Sequence, residues 1–460
     1  MRLIGIDLGT SFIKGAVLDL DALAIRHIER LPFPEPVPGL NPAFREFNPA
    51  EVVESTRSLL GRLLRHAPDA TGIVICSQLH GMVFTTDDGE AVSNAINWQD
   101  QRALQPFPGG HGSYFDEINR RLAPEERRQL GNEPRPGVPL CYLFWLAQNK
   151  LLPARPAAAA ALPSFVVASL CGAPPKSDVT NAFAHGALNV ETLSWHRAVI
   201  EKLGLEGVRW PEIVQQGAVV GEYRVGSRSV PVFAPVGDYH CSQVGAFLDE
   251  GEMSVNISTG SAVIQLARGR ERGNFQIRPW FDGRFLKTIT HIPGGRALSA
   301  LVRLLSELAT AQGLELRDPW DYILAEAAKL ASTDLRVDPA FYFSALGDCG
   351  SLTNVREENL TVGHLFHAAF AGMADNYALC ATRLSPGKDW TRLVFSGGVA
   401  LKTALLRRLI CDRLGQTHRL AASEEDTLLG LLVLSLAFSG RFPLVADAIA
   451  FARKHYQTPT

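Results

Sequence analysis

Two short stretches, about half a chain apart, carry the same pattern. Residues 4–19, IGIDLGTSFIKGAVLD, and residues 254–267, SVNISTGSAVIQLA, each pass from an apolar run through a polar turn holding Gly and Thr into a second apolar run. That pattern predicts a β-hairpin closed by a tight glycine-containing loop. Thr10 and Thr259 fall at matching places in the two turns. The duplication suggests an α/β chain of two similarly built halves, each opening with a hairpin whose turn points into a shared cleft. Length agrees with it: 460 residues exceed what a single core usually holds, so two domains of roughly 200 to 250 residues are expected.

Between the hairpins the pattern changes repeatedly. Residues 31–49, LPFPEPVPGLNPAFREFNP, carry six prolines and predict a mostly irregular excursion. The following PAEVVESTRSLLGRLLRHA predicts an amphipathic helix with Val52, Val53, Leu59, Leu60, Leu63 and Leu64 on one side. TGIVICSQ predicts a buried strand, and LHGMVFTTDDGEAV a hairpin turning at Asp88-Gly89. The alanine-rich residues 154–163 predict helix or linker. In the second half, ALSALVRLLSELATAQG has helical spacing and ends on glycine, and TRLVFSGGVALKTALLRRLICDRLG predicts a strand, a Gly-Gly turn and a helix.

Composition narrows the partners. Lysine plus arginine number 45 against 47 acidic residues, a formal net charge of −2, which gives no electrostatic reason to expect nucleic acid or an anionic membrane surface. The seven cysteines are scattered and form no CxxC pair, a usage that fits a reduced cytoplasmic setting better than disulfides or a zinc site. MRLIGIDLGT enters a strand-like run at once without a signal-type apolar region, and no apolar stretch approaches the roughly 18 to 20 residues of a membrane span. The expectation is a soluble protein with a small-molecule partner, acting as a monomer or homodimer.

Three places pair a strand end with glycine and a hydroxyl residue: Gly9-Thr10-Ser11, Ser258-Thr259-Gly260-Ser261 and Ser396-Gly397-Gly398. Such turns can offer backbone N–H groups to phosphate oxygens, because glycine lets the backbone approach. Taken singly each is also an ordinary tight turn, and none has the spacing of a P-loop or of GxGxxG. Asp7, at the lip of the first turn, can hold Mg²⁺ directly or through water, or bond its own loop. Lys14 can steer phosphates or be a solvated strand lysine. GDYHCSQVGAF puts Asp238 between a glycine and a helical run. Local sequence leaves it either a cap or a base for a substrate hydroxyl, with a helix start that would hold it anionic.

GIDLGTSFIKGAVLD, GDYHCSQVGAF, VNISTGSAV and VFSGGVALKTALL, in this order and spacing, resemble the FGGY sugar kinases. These are ATP-dependent enzymes of the actin, hexokinase and Hsp70 superfamily, and the resemblance extends over nearly the whole chain. It implies an α/β fold of two actin-like (ribonuclease H-like) domains with an interdomain cleft, here residues 1–243 on the sugar side and 244–460 on the ATP side. It further implies Asp238 as general base and Asp7 as the Mg²⁺ residue. Thr10, Ser11, Lys14, Thr259, Gly260, Gly294, Gly295, Gly397, Gly398 and Lys402 are then on the ATP side. SQLHGMVF and NAINWQDQR resemble the segments lining the family's sugar pocket, which implies His80 and Trp98 beside the substrate with Gln78 and Asp100 in support; without the resemblance His80 and Trp98 read as core packing. Glycerol kinases carry an Arg-Glu pair where this chain has Leu79-His80, which argues against glycerol. Lys402 stands where family members often have asparagine, which puts the adenine contact there in question.

The stretches FVVASLCGAPPKSDVTNAFAHGALNVETLSW, IRPWFDGRFLKTITHIPGGRAL and LTVGHLFHAAFAGMADN look more like sedoheptulokinases than xylulokinases. The resulting expectation is ATP-dependent phosphorylation of a ketose at its terminal primary hydroxyl, with sedoheptulose first and xylulose or another ketose as the alternative. A non-catalytic sugar or nucleotide sensor of the same fold is the reading from another class, against which stand Asp7, Thr10, Asp238 and Thr259. A filament-forming actin relative finds no segment here to serve as an assembly interface.

Overall fold

A computed structural model describes residues 1–110, 112–267 and 269–457. Both duplicated segments are hairpins. The first pairs β1 (Arg2–Leu8) with β2 (Phe12–Asp19), to which β3 (Ala24–Pro32) adds antiparallel. On the other side of β1 lies β4 (Ile73–Ser77), parallel to it. The sheet then continues through the hairpin of β5 (Val219–Val225) and β6 (Arg228–Phe233), in the order β5-β6-β4-β1-β2-β3, while β7 (Val236–Gly237) pairs with the end of β4.

The second sheet repeats this plan. Here β8 (Glu252–Ile257) and β9 (Ser261–Ala267) form the hairpin, and β10 (Gln276–Pro279) and β11 (Phe285–Ile292) extend it antiparallel. Beyond β8 lie β12 (Arg392–Ser396) and β13 (Thr417–Leu420), both parallel, giving the order β10-β11-β9-β8-β12-β13. The path β3-β2-β1-β4-β6 in one sheet thus matches β11-β9-β8-β12-β13 in the other. In this match Asp7, three residues before Thr10, corresponds to Asn256, three residues before Thr259.

Helices cover both sheets because their apolar stripes have no other place to be dry. The helix α1 (Pro49–His66) starts at an Asn48 cap and buries all six of the apolar residues expected of it, together with Thr56. Further on come α2 (Val179–Ala182), α3 (Asp238–Gly245), α4 (Gly295–Ala311), α5 (Val362–Leu384), α6 (Gly398–Lys402), α7 (Ala404–Leu414) and α8 (Asp426–Phe438). Although late in the chain, α8 packs on the first sheet and against α3. Their approach is as close as backbones allow. A Cβ on Gly245 would stand 1.9 Å from the Asp426 carbonyl oxygen, and one on Gly430 1.9 Å from that of Cys241. One continuous core therefore runs from Leu3, Leu18 and Val74 through Val244 and Leu429 to Ile264 and Leu286 in the second sheet.

Two expectations need correction. Residues Ala158–Ala161 are a buried strand, neither helix nor linker, and pair with Met82–Thr85 in a four-stranded sheet. Alanine's helix propensity is worth only a few tenths of a kcal/mol per residue; here its small side chain lets a fourth strand fit inside a packed interior, and tertiary packing prevails. The helix after the Gly-Gly turn is also broken, since Thr403 leaves helical geometry at φ −109°, ψ 83° and separates α6 from α7. The Asp88-Gly89 turn forms as expected, with Gly89 at φ 82° and the Thr86 amide bonded to the Glu90 carbonyl at 2.9 Å. No cysteine among the described residues is disulfide-bonded, and no described helix is long and apolar enough to cross a membrane.

Candidate active site

Where the ends of the two hairpins face each other, a cleft of about 390 Å³ opens between the sheets. Thr10 comes from the β1–β2 turn and Thr259, Gly260 and Ser261 from the β8–β9 turn, so the two matching turns line one cavity. Gln78, His80, Trp98 and Asp238 line it too. The first-turn side is tied together by hydrogen bonds: the Trp98 indole donates to the Thr10 hydroxyl at 3.2 Å, and Gln78 bonds both Thr10 and the Gly9 carbonyl. Trp98 remains 37 % exposed, a large aromatic face offered to the cavity instead of to the core.

Asp238 answers the cap-or-base alternative in part. It is the first residue of α3, whose cap position is Gly237, and its Oδ1 accepts from the Tyr239 amide at 2.6 Å. The helix start does not set its charge unopposed: burial, and next to it the Asp7 carboxylate, push the Asp238 carboxyl well above its ordinary range. The expectation of a carboxylate held anionic by the helix dipole thus meets a stronger opposing effect, since removing a carboxylate from water penalises its ionised form.

Asp7 sits at the end of β1. Its Oδ2 accepts from the Thr427 hydroxyl of α8 at 2.7 Å, while its Oδ1 is buried without a hydrogen-bond partner. Burial raises its carboxyl, against the lowering effects of Thr427 and Lys14. Asp426, one residue before Thr427, is pushed up to about 7 by burial and then by Asp7. Lys14 does not face the cavity freely; its Nζ bonds Glu425 at 3.1 Å.

The glycine turns of the second half converge behind Ser258. The Gly295 amide donates to the Ser258 carbonyl at 2.8 Å, and the Arg296 amide to that of Thr259 at 3.0 Å. A Cβ on Gly294 would lie 2.3 Å from Ser261 Oγ, and one on Gly397, at φ 85°, 2.5 Å from the Ile257 carbonyl. Glycine at these two positions is what lets three backbones meet. Gly398 opens α6 beside them, and Lys402 ends it exposed. Ser11 lies in the first turn, exposed, with its carbonyl bonded to the Phe33 amide. Asp100 is buried outside the cavity lining, gripping Arg102 at 2.8 Å and the Arg45 amide at 2.8 Å, and so braces the segment that carries Trp98.

A polar cluster around His80, whose Glu133, Arg135 and Arg278 members the sequence reading missed, closes the other end of the cavity. The His80 ring donates from Nδ1 to the Ala184 carbonyl at 2.7 Å and accepts at Nε2 from Arg135 at 2.9 Å. Burial, then Arg135, depress its pKa well below the ordinary histidine value, so the ring is neutral. Arg135 also bonds Glu133 at 2.7 Å and Thr290 at 3.2 Å, and Glu133 takes the Arg278 guanidinium at 2.9 Å. Arg278 in turn lies 4.5 Å from the Tyr239 ring centroid, next to Asp238. NEPRPG, which contributes Glu133 and Arg135, has no periodicity to distinguish it; its two charged residues on either side of Pro134 were the one available signal.

The sequence profile of the FGGY family of carbohydrate kinases, N-terminal domain, matches residues 2–245. The chain belongs to this FGGY family. It is 24% identical over 458 residues to a sedoheptulokinase of Mus musculus, covering 88% of this chain and 91% of that protein. In structure it superposes on a gluconate kinase from Lactobacillus acidophilus with a TM-score of 0.85 at 19% identity, over 98% of this chain and 92% of the other. It also superposes on the glycerol kinase of Plasmodium falciparum with ADP, at a TM-score of 0.83 and 19% identity, over 98% and 92% of the two chains. The fold is thus the two-domain, actin-like α/β fold of the FGGY carbohydrate kinases, and the protein is a carbohydrate kinase.

Proposed function

We propose that this carbohydrate kinase transfers the γ-phosphoryl group of ATP to the terminal primary hydroxyl of sedoheptulose, forming sedoheptulose 7-phosphate. The observation that carries the reading is the convergence of the Asp238 carboxylate, the two threonine turns and the Trp98–His80 wall on one cleft. The likeness to a sedoheptulokinase over nine-tenths of that protein's length supports the seven-carbon ketose.

In this reading Trp98, held through Thr10 by Gln78, stacks on the sugar, while the Arg135 guanidinium, oriented by the His80 ring that lines the same wall, bonds its hydroxyl and carbonyl oxygens. Asp238 orients the terminal hydroxyl and accepts its proton as the oxygen–phosphorus bond forms and the bond from the γ-phosphorus to the β–γ bridging oxygen breaks, a transfer that asks mainly for positioning and charge neutralisation. Thr10, Thr259 and Gly260 cradle phosphates, and Gly294, Gly295, Gly397 and Gly398 form the nucleotide floor. Among the described residues no group of three His, Cys, Asp or Glu side chains is placed to hold a metal by itself, but the unpartnered Oδ1 of Asp7 fits Mg²⁺ bound through water and phosphate. That ion would neutralise charge on the phosphates. We take residues 1–243 and 244–460 as the two closing domains of a cytoplasmic monomer or homodimer.

The test is an ADP-release assay over sedoheptulose, xylulose, ribulose and fructose. Sedoheptulose should give the highest kcat/KM. A higher value for xylulose would move the substrate to the five-carbon ketose, and no turnover of any of the four would overturn the ketose reading.

A further inference from the structure

The peptide that leads into Asp238 is held from a direction the catalytic reading does not use. Asp178 caps α2, its Oδ1 accepting from the Thr180 amide at 3.0 Å, the Asn181 amide at 3.1 Å and the Thr180 hydroxyl at 2.8 Å. Because the hydroxyl proton is committed to Asp178, the Thr180 oxygen turns its lone pairs outward, where it accepts from the Gly237 amide at 3.0 Å. Asn181 donates from Nδ2 to the Pro235 carbonyl at 2.7 Å. All three side chains are buried, and Asp178 and Thr180 have no exposed surface.

These two ties bracket Val236 and Gly237, the residues immediately before Asp238. The opposite edge of the same two residues pairs with Cys76 and Ser77 of β4. The segment is therefore gripped from both sides, and there is no slack at its end: a Cβ on Gly237 would lie 2.6 Å from Leu79 and 3.0 Å from the Thr180 carbonyl. A carboxylate at the first position of a helix inherits the direction of the peptide before it, and a displacement of about 1 Å at a reacting group costs on the order of 100-fold in rate.

Resting on the kinase reading, we propose that Thr180 and Asn181 are positioning residues: by clamping the Pro235–Gly237 peptide they set the direction of the Asp238 carboxylate toward the acceptor hydroxyl. Neither touches a substrate. Their action passes through the Gly237 amide and the Pro235 carbonyl, and Asp178 holds the clamp in register.

Thr180→Val keeps the shape but removes both the donor to Asp178 and the acceptor for Gly237. It should lower kcat by about 10- to 100-fold per folded molecule while KM for ATP stays within about twofold. Thr180→Ser, which retains the hydroxyl, should recover kcat to within about threefold of wild type. Asn181→Ala, which releases only the Pro235 carbonyl, should lower kcat in the same manner but less. A melting curve for each variant gives the folded fraction, and hydrogen exchange at residues 235–239 reads the clamp without turnover, rising in Thr180→Val while the β1–β2 hairpin stays protected. Wild-type kcat in Thr180→Val, or failure of Thr180→Ser to recover it, overturns the inference; where Thr180→Val folds too poorly to assay, wild-type kcat with unchanged exchange at 235–239 in a folded Asn181→Ala overturns it. A wild-type enzyme that phosphorylates no acceptor defeats the kinase reading itself, and the positioning role with it.

Discussion

The hydroxyl of Thr427 donates a 2.7 Å hydrogen bond to Oδ2 of Asp7, joining residues 420 positions apart. The bond sits where α8 crosses onto the first sheet, beside the interlocked Gly245 and Gly430. It commits one oxygen of Asp7 to the fold and leaves the other, Oδ1, buried without a partner. One carboxylate thereby links the late helix to the first strand and keeps an acceptor in reserve.

Thr427→Val should free the Asp7 carboxyl to rotate and raise its affinity for protons, since the Thr427 bond is the largest of the effects that lower its pKa. We expect the Mg²⁺ concentration for half-maximal rate to rise several-fold while KM for the sugar stays unchanged. Magnesium titrations at saturating sugar check this, and an unchanged requirement would remove the Thr427 bond from the metal's support.

Asp238→Asn should leave the fold intact, because Gly237 holds the cap position and the amide oxygen of asparagine can still accept from Tyr239. Turnover should fall by at least about 100-fold, the usual scale for a positioned base, with nucleotide binding largely kept. A variant with more than a tenth of wild-type kcat would refute the assignment, and a melting curve separates this loss from unfolding.

His80→Ala should lower kcat/KM for the sugar by on the order of 10- to 1,000-fold, equivalent to roughly 1.4 to 4 kcal/mol. The change leaves one Arg135 donor and the Ala184 carbonyl without partners and loosens the guanidinium that meets the sugar. KM for ATP should barely move. A destabilised variant with normal sugar kinetics per folded molecule would make the histidine a core residue only.

Burial raises the Asp178 carboxyl to about 7, above its unfolded value, so its contribution to stability is present at low pH and lost as pH rises through about 7. Raising the pH from 6 to 8 should therefore destabilise the wild type more than Asp178→Asn, whose amide does not titrate. Denaturant melts of both proteins across that range measure the difference. Equal slopes would show that Asp178 keeps its ordinary carboxylate behaviour.

Much of this molecule is legible from local pattern. The two hairpins, the face of α1, the glycine turns and the unusual position of Asp238 each follow from residues close together in sequence, because alternation, helical spacing and glycine geometry act over a few bonds. Alanines 158–161 misled for the same reason: local propensity favours helix by little, and the burial that decides their strand depends on Met82–Thr85, some 75 positions away. The charge on Asp238 misled in a related way, since its helix start is local but the opposing Asp7 is not.

By itself the amino-acid sequence determined two matched α/β halves, glycine turns suited to phosphate and a carboxylate at the start of a helix. Only the tertiary structure decided what surrounds them: the Thr427–Asp7 bond, the Glu133–Arg135–Arg278 cluster on His80, and the clamp from Thr180 to Gly237. The physical reason is range. Hydrogen bonding within turns and apolar periodicity are set by neighbours along the chain, whereas side-chain pairing and desolvation depend on which distant segments the packed sheets and crossing helices bring within about 3 Å of each other.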